Sequence, residues 1–315
     1  MENSKVIELL RSFNLHEVKA FQSYLISEYF ISDNNVKKAF DCIMEFIRNK
    51  KSFGRKDLHS KIFAKQKFND QQVRYLLTDL YRHIEYFLTL RTLDNNKIIY
   101  RNLSLRTLSQ RDCEKAYNYV HDEISNEHKI KNALSYYYFF DAEENHLNYA
   151  GKKQSRKSKF DYNKIFINLE IFYLAKKLQL FCEVINLKNI LTGEYELYLI
   201  NEIKKLAAKL PFSEIPVVQI YYSILLTLTE PEEEKYLVHL EKLLIKHASL
   251  FPPAELNDMY QYVKNYCVKK INHGNSDYIR RLFEIDKTML ANKPLMYHEY
   301  LSQFEFKNIV SISLR

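Results

Sequence analysis

Apolar residues in this chain recur at intervals of three and four almost from end to end, and strict alternation is rare. That is the spacing of amphipathic helices rather than of half-buried strands. The stripe Val73, Leu76, Leu77, Leu80, Ile84, Phe87 and Leu88 predicts one long helix. Leu237, Leu240, Leu243 and Leu244, opened by Pro231 and the acids Glu232, Glu233 and Glu234, predict another. Acids in a first turn complement the partial positive charge of a helix start. Pro211 and Pro216 bracket a short link, and Pro231, the pair Pro252 and Pro253, Gly274 and Pro294 mark later joints. From Ile215 onward the implied helix pairs begin near residues 215, 254 and 295, a recurrence of about 40 residues that falls in the range of helical-repeat solenoids. The tetratricopeptide consensus itself is absent. Helices that do not alternate with strands must bury their stripes on one another. The expected fold is therefore all-α: an N-terminal helical module over residues 1–95, then a tetratricopeptide-like α-solenoid of antiparallel helix pairs over residues 96–315. An irregular helical bundle is the plainer alternative.

Composition removes whole classes of chemistry. Among 315 residues there are 4 glycines, Gly54, Gly151, Gly193 and Gly274, each far from the next. Dinucleotide fingerprints, phosphate-binding Walker loops and nucleophile elbows each need two glycines close together, so none can be written here. Cys42, Cys113, Cys182 and Cys267 are too widely spaced for a C-x-x-C pair and read as reduced, mostly buried side chains. The first residues hold no apolar signal-peptide core. The longest uncharged stretch, Ile215 to Thr229, falls short of the ~20 residues that span a bilayer. A cytoplasmic protein without membrane contact is the expectation.

Glu143 and His146 form an E-x-x-H on a predicted helix, but no second copy exists, and a carboxylate-bridged metal pair needs two. His121 and His128, like His239 and His247, lie about two turns apart, roughly 10 to 12 Å along an axis, too far to share an ion. No metal, cofactor or catalytic residue is assigned, and no enzyme is expected. The run Tyr136, Tyr137, Tyr138, Phe139 and Phe140 points in every direction on a helix, as in one buried between neighbours.

Charge separates the halves. Residues 1–160 hold 28 Lys and Arg against 20 Asp and Glu, whereas residues 161–315 hold 19 of each. Residues 48–67 alone carry Arg48, Lys50, Lys51, Arg55, Lys56, Lys61, Lys65 and Lys67 against the single acid Asp57, a density that attracts phosphates. Around this cluster the pattern predicts a helix over 36–49, a short one over 56–64 and a long one capped by Asn69 or Asp70. That is the order of a helix-turn-helix unit, and it leaves Gln71, Gln72 and Arg74, with Tyr75, on the first turns where base-reading side chains sit. Asp94-Asn95-Asn96 would turn a hairpin wing or link two helices. A second basic run, Lys152, Lys153, Arg156, Lys157 and Lys159, reads as a solvated loop.

Ser27-Glu28-Tyr29-Phe30, with Glu17 to Phe21 before it and Val36 to Phe46 after it, resembles the opening of a large family of uncharacterised bacterial all-helical proteins, whose segment reads Ser-Pro-Tyr-Phe-Asn. Glu28 stands where that pattern has proline and Ile31 where it has asparagine. Asn265 to Gly274 and Phe306 to Val310 extend the resemblance along most of the chain. It implies a helical-repeat array, with no established activity and no catalytic residues to carry over.

Two functional classes follow. One is a non-enzymatic adaptor whose helix pairs hold a protein or peptide partner. The other is a nucleic-acid-binding protein using residues 48–75. The apolar pattern Met296, Tyr300, Phe304, Ile309, Ile312 and Leu314 also predicts that the last helix packs on further repeats or on a second copy of the chain.

Overall fold

The computed structural model describes residues 4–49, 53–64, 66–127, 129, 131–152, 161–187, 195–291, 296–297 and 300–313. The chain divides into two compact units, Met1–Tyr100 and Arg101–Arg315.

The first unit holds α1 (Lys5–Ser12), α2 (Leu15–Ile26), α3 (Asn34–Arg48), α4 (Arg55–Ile62) and α5 (Asp70–Asn95). Their starts are those that side-chain chemistry favours. Asn14 opens α2 through a capping box with Glu17, and Asp33 accepts from the Asn35 N–H ahead of α3. Asn69, not Asp70, caps α5, taking the N–H groups of Gln71 and Gln72 at 3.0 and 3.2 Å; each such cap satisfies donors that have no partner within the helix. The long α5 is the spine, in contact with α1, α2, α3 and α4. Its predicted stripe is buried at Val73, Leu76, Leu77, Leu80, Ile84 and Phe87. Phe21, fully buried, meets Phe40 edge-on and Phe87 at a tilt, with ring centroids 5.1 Å apart in both pairs. Aromatic pairs at this separation add to the gain from burial alone. The segment 94–96 makes no wing, because α5 runs through Asn95 and α6 (Lys97–Gln110) follows after Asn96.

In the second unit the rest of α6 precedes α7 (Glu114–Ser125), α8 (Ala133–Lys152), α9 (Tyr162–Leu187), α10 (Ile200–Ala207), α11 (Pro216–Thr229), α12 (Glu234–His247), α13 (Pro253–Asn272), α14 (Asp277–Ala291) and α15 (Gln303–Ser313). Packing follows sequence: α8 lies on α7 and α9, α11 on α9 and α12, α13 on α12 and α14, and α15 on α14. The anticipated joints hold at Pro216 and Pro253, each the first residue of its helix. Gly274 ends α13 with φ of 93°; its N–H reaches Ile271 O at 2.9 Å and that of Asn275 reaches Lys270 O at 3.1 Å. This paired closure needs a left-handed residue, which glycine supplies without steric cost.

The third expected joint differs. Residues 292–295 lie outside the described residues, and a two-residue antiparallel pair follows, β1 (Met296–Tyr297) with β2 (Tyr300–Leu301), before α15 opens at Gln303. The recurrence of about 40 residues is thus not sustained beyond α13. On α15, Ile309 and Ile312 pack against the core; the side chains of Met296, Tyr300, Phe304 and Leu314 lie outside the described residues. The aromatic run on α8 is buried at Tyr136 and half-buried at the four that follow. Cys182 and Cys267 are buried, Cys42 half-buried and Cys113 exposed. Among the described residues, no helix is long and apolar enough to cross a membrane.

Candidate functional site

The basic cluster on α3, α4 and the start of α5 is partly neutralised by its own neighbours. Arg55 donates to both oxygens of Asp70, at 3.1 and 3.4 Å, and Arg74 Nε lies 2.7 Å from the same carboxylate. Desolvation, which would raise the Asp70 carboxyl, is outweighed by these two guanidinium groups, and the group is held below its ordinary range. Lys61 donates to Glu45 at 2.6 Å, and that hydrogen bond pushes the ammonium's pKa up. Asp57, the one acid of the run, accepts from the Gly54 N–H at 2.7 Å and so closes the first turn of α4. Arg48, at the end of α3, and Lys56 and Lys67 are exposed and have no acid partner among the described residues. Lys50, Lys51 and Lys65 lie outside the described residues.

The anticipated base-reading residues are tied as well. Gln71 Nε2 donates to the Tyr75 hydroxyl at 2.9 Å, and Gln72 Nε2 donates to Gln66 Oε1 at 3.4 Å. Side chains so engaged must break these bonds before meeting a base edge. What the sequence did not show is the open groove of about 920 Å³ beside them, lined by Lys67, Phe68, Asn69, Asp70, Gln71, Arg74 and Tyr75.

A second surface lies on α9 in the other unit. One face of this helix is core, with Ile171, Leu174, Ala175, Leu178, Phe181 and Cys182 buried. Another is apolar and uncovered: Tyr162 is 51% exposed, Phe166 56%, Leu169 41%, Tyr173 44% and Leu180 44%. Their spacing, four, three, four and seven, is a heptad seam, and the remaining position is Lys176, whose ammonium bonds Gln179 at 2.9 Å. Lys164, Glu170 and Glu183, all exposed, rim it with both signs of charge. A signal for this seam was present in the sequence, since α9 is apolar around most of its circumference and such a helix is either enclosed or partnered.

The tertiary structure brings His121 of α7 to the Glu143 and His146 pair of α8. The two imidazoles stack with centroids 4.3 Å apart and 21° between planes, and His121 Nε2 lies 3.5 Å from the Glu143 carboxylate. Rings stacked face to face do not converge their nitrogens on one ion. Among the described residues no group of three or more His, Cys, Asp and Glu side chains could hold a metal. Burial, which would raise the Glu143 carboxyl, is outweighed by the hydrogen bond and charge of His121, which keep it below the usual range; burial, reinforced by His121, pushes His146 down. His128 lies outside the described residues.

Two further polar nodes staple the second unit. Glu255 accepts from Asn132 Nδ2 at 2.7 Å and from the Tyr221 hydroxyl at 3.1 Å, which joins α13 to α11 and to the start of α8. Lys264 of α13 lies 2.9 Å from Asp286 of α14 and 3.2 Å from Glu305 of α15.

Comparison of the chain with known protein families, with curated proteins and with solved structures finds no match in any of the three.

Proposed function

We propose that this protein is a non-enzymatic adaptor of the helical-repeat kind, its second unit a tetratricopeptide-like stack of antiparallel helix pairs, and that α9 presents its uncovered seam to an amphipathic helix of a partner protein. The packing of α8 on α7 and α9, and of α12 to α15 each on the helix before it, supports the repeat reading. The observation that carries the partner reading is the row Tyr162, Phe166, Leu169, Tyr173 and Leu180, apolar, exposed and in heptad register. A helix with its own a and d residues is the partner whose knobs fit such holes.

Area sets the strength. Five large side chains, each roughly half exposed, offer about 500 Å², at the upper end of the apolar patches that monomers tolerate. An equal contribution from the partner brings the interface to about 1,000 Å², the lower end for specific contacts. Micromolar affinity is expected, and the mixed-sign rim sets orientation more than strength. The test is fluorescence anisotropy with a panel of heptad peptides carrying Leu and Ile at the seam positions and varied Glu and Lys beside them. At least one should bind the full chain, and Phe166→Asp with Tyr173→Asp should abolish binding without loss of helix content. Peptides that all fail, or that bind the variant equally, would refute the assignment. So would a homodimer in sedimentation that the same substitutions dissolve, because the seam would then belong to a second copy.

A further inference from the structure

We infer that the groove at the α4–α5 corner binds single-stranded nucleic acid, with Phe68 and Tyr75 stacking bases and Lys56 and Lys67 meeting phosphates. The inference is independent of the adaptor reading, since every residue in it belongs to the first unit.

The rings come first. Tyr75 is 66% exposed and Phe68 44%, and both line the groove beside Lys67. The Lys56 ammonium stands 5.9 Å from the centroid of the Phe68 ring. Large aromatic side chains left in water next to lysines that have no carboxylate partner among the described residues form the platform-and-cation combination that holds unpaired strands: the ring takes a base face and the ammonium the adjoining phosphate. Every base has a π-face, so such a site tolerates sequence.

A duplex fits worse, for three reasons. Gln71, Gln72 and Arg74, which would have to reach base edges in a major groove, are each bonded within the protein. Asp70 lies in the middle of the same surface, and although Arg55 and Arg74 hold its charge, a rigid backbone of paired phosphates would have to pass close to it. The segment 94–96 forms no wing to clasp the second strand, because α5 continues through Asn95. A single strand is pliable: it can thread its phosphates past Lys56 and Lys67 and turn its bases toward the rings.

The experiment is fluorescence anisotropy of the full-length protein with labelled dT20, U20 and a 20-base-pair duplex across a salt series. Binding of dT20 or U20 is expected to be tighter than that of the duplex. The log–log salt slope should be near −1.4 for two phosphate contacts, at about 0.7 per contact on single strands, so Lys67→Ala should flatten it by about 0.7. Tyr75→Ala removes one stacking platform and should weaken binding roughly 5- to 150-fold. Tyr75 is exposed, so the fold should survive this change, and circular dichroism would check it; Lys242→Ala on α12 serves as a charge control that leaves binding unchanged. Binding to neither strand would overturn the proposal. So would a duplex preferred to both, affinity indifferent to Tyr75→Ala, or losses matched by the control.

Discussion

Removing the Lys264 ammonium should strand a buried carboxylate, and the cost should depend on pH in a defined direction. Asp286 is 0% exposed, and the Lys264 side chain 9%. The ammonium lies 2.9 Å from Asp286 Oδ1 and 3.2 Å from Glu305 Oε2, while Asp286 Oδ2 meets no hydrogen-bond donor among the described residues. Burial lifts the Asp286 carboxyl above its usual range, Lys264 pulls it back only in part, and Glu305 adds to the rise. In Lys264→Met the opposing influence is gone. Breaking a buried pair by removing one partner costs roughly 3–5 kcal/mol, and at roughly 2–4 °C per kcal/mol for a unit of this size the midpoint should fall by about 10 °C. A carboxyl whose folded pKa exceeds its unfolded one penalises the folded state above that folded pKa, and the penalty is relieved as pH falls toward the ordinary value near 3.8. The deficit of Lys264→Met is therefore largest at neutral pH and shrinks in acid. Asp286→Asn, which leaves the ammonium on Glu305, should cost less, and Lys264→Met with Asp286→Leu should recover most of the loss. Urea titrations followed by circular dichroism at pH 7 and pH 5 measure all four proteins. A loss under about 1 kcal/mol at pH 7, or one that does not shrink in acid, would show that the pair is solvated and the reasoning wrong.

Three other outcomes are expected. Asn69→Ala frees two N–H groups at the start of α5 and should destabilise the protein by about 1 kcal/mol in the same urea assay; no change would mean that water caps the helix equally well. Because His146 is held below its ordinary value of 6.5, it contributes stability above that pH which is lost as pH falls through 6.5 toward the lowered folded value, so His146→Phe should flatten the decline of the thermal midpoint between pH 7 and pH 5. A decline equally steep in the variant would place the titration elsewhere. Thiol reagents should modify the exposed Cys113 in the native protein, whereas Cys182, whose pKa burial raises well above the ordinary value, and Cys267, pushed up by burial to about 12, should react only on unfolding; mass mapping after a short pulse would check the order.

The helical class and the limits of a few helices, α3, α4, α5, α11 and α13 among them, were legible in the sequence, because they rest on local physics. The spacing of Val73 to Phe87 marked the face of α5 that is buried, Asn69 was one of two named caps, and Pro216, Pro253 and Gly274 stand at joints where backbone geometry demands them. Just after residue 295 a two-residue strand pair precedes α15, and so short a pair leaves no periodicity to read. Charge was legible only as a sum. That residues 48–67 are basic is a property of composition, but which cations remain available depends on Asp70 and Glu45, which lie beyond or before the cluster and reach it only across the packed faces of α3, α4 and α5. For α9 the sequence shows more apolar positions than one core face needs, and only packing decides which of them are spent on the core and which form the seam. His121 with Glu143 and His146, and Lys264 with Asp286 and Glu305, join residues from separate helices. No pattern along one helix encodes such a meeting, because it is fixed by how the helices stack, and stacking is decided by the complementarity of whole surfaces rather than by local spacing.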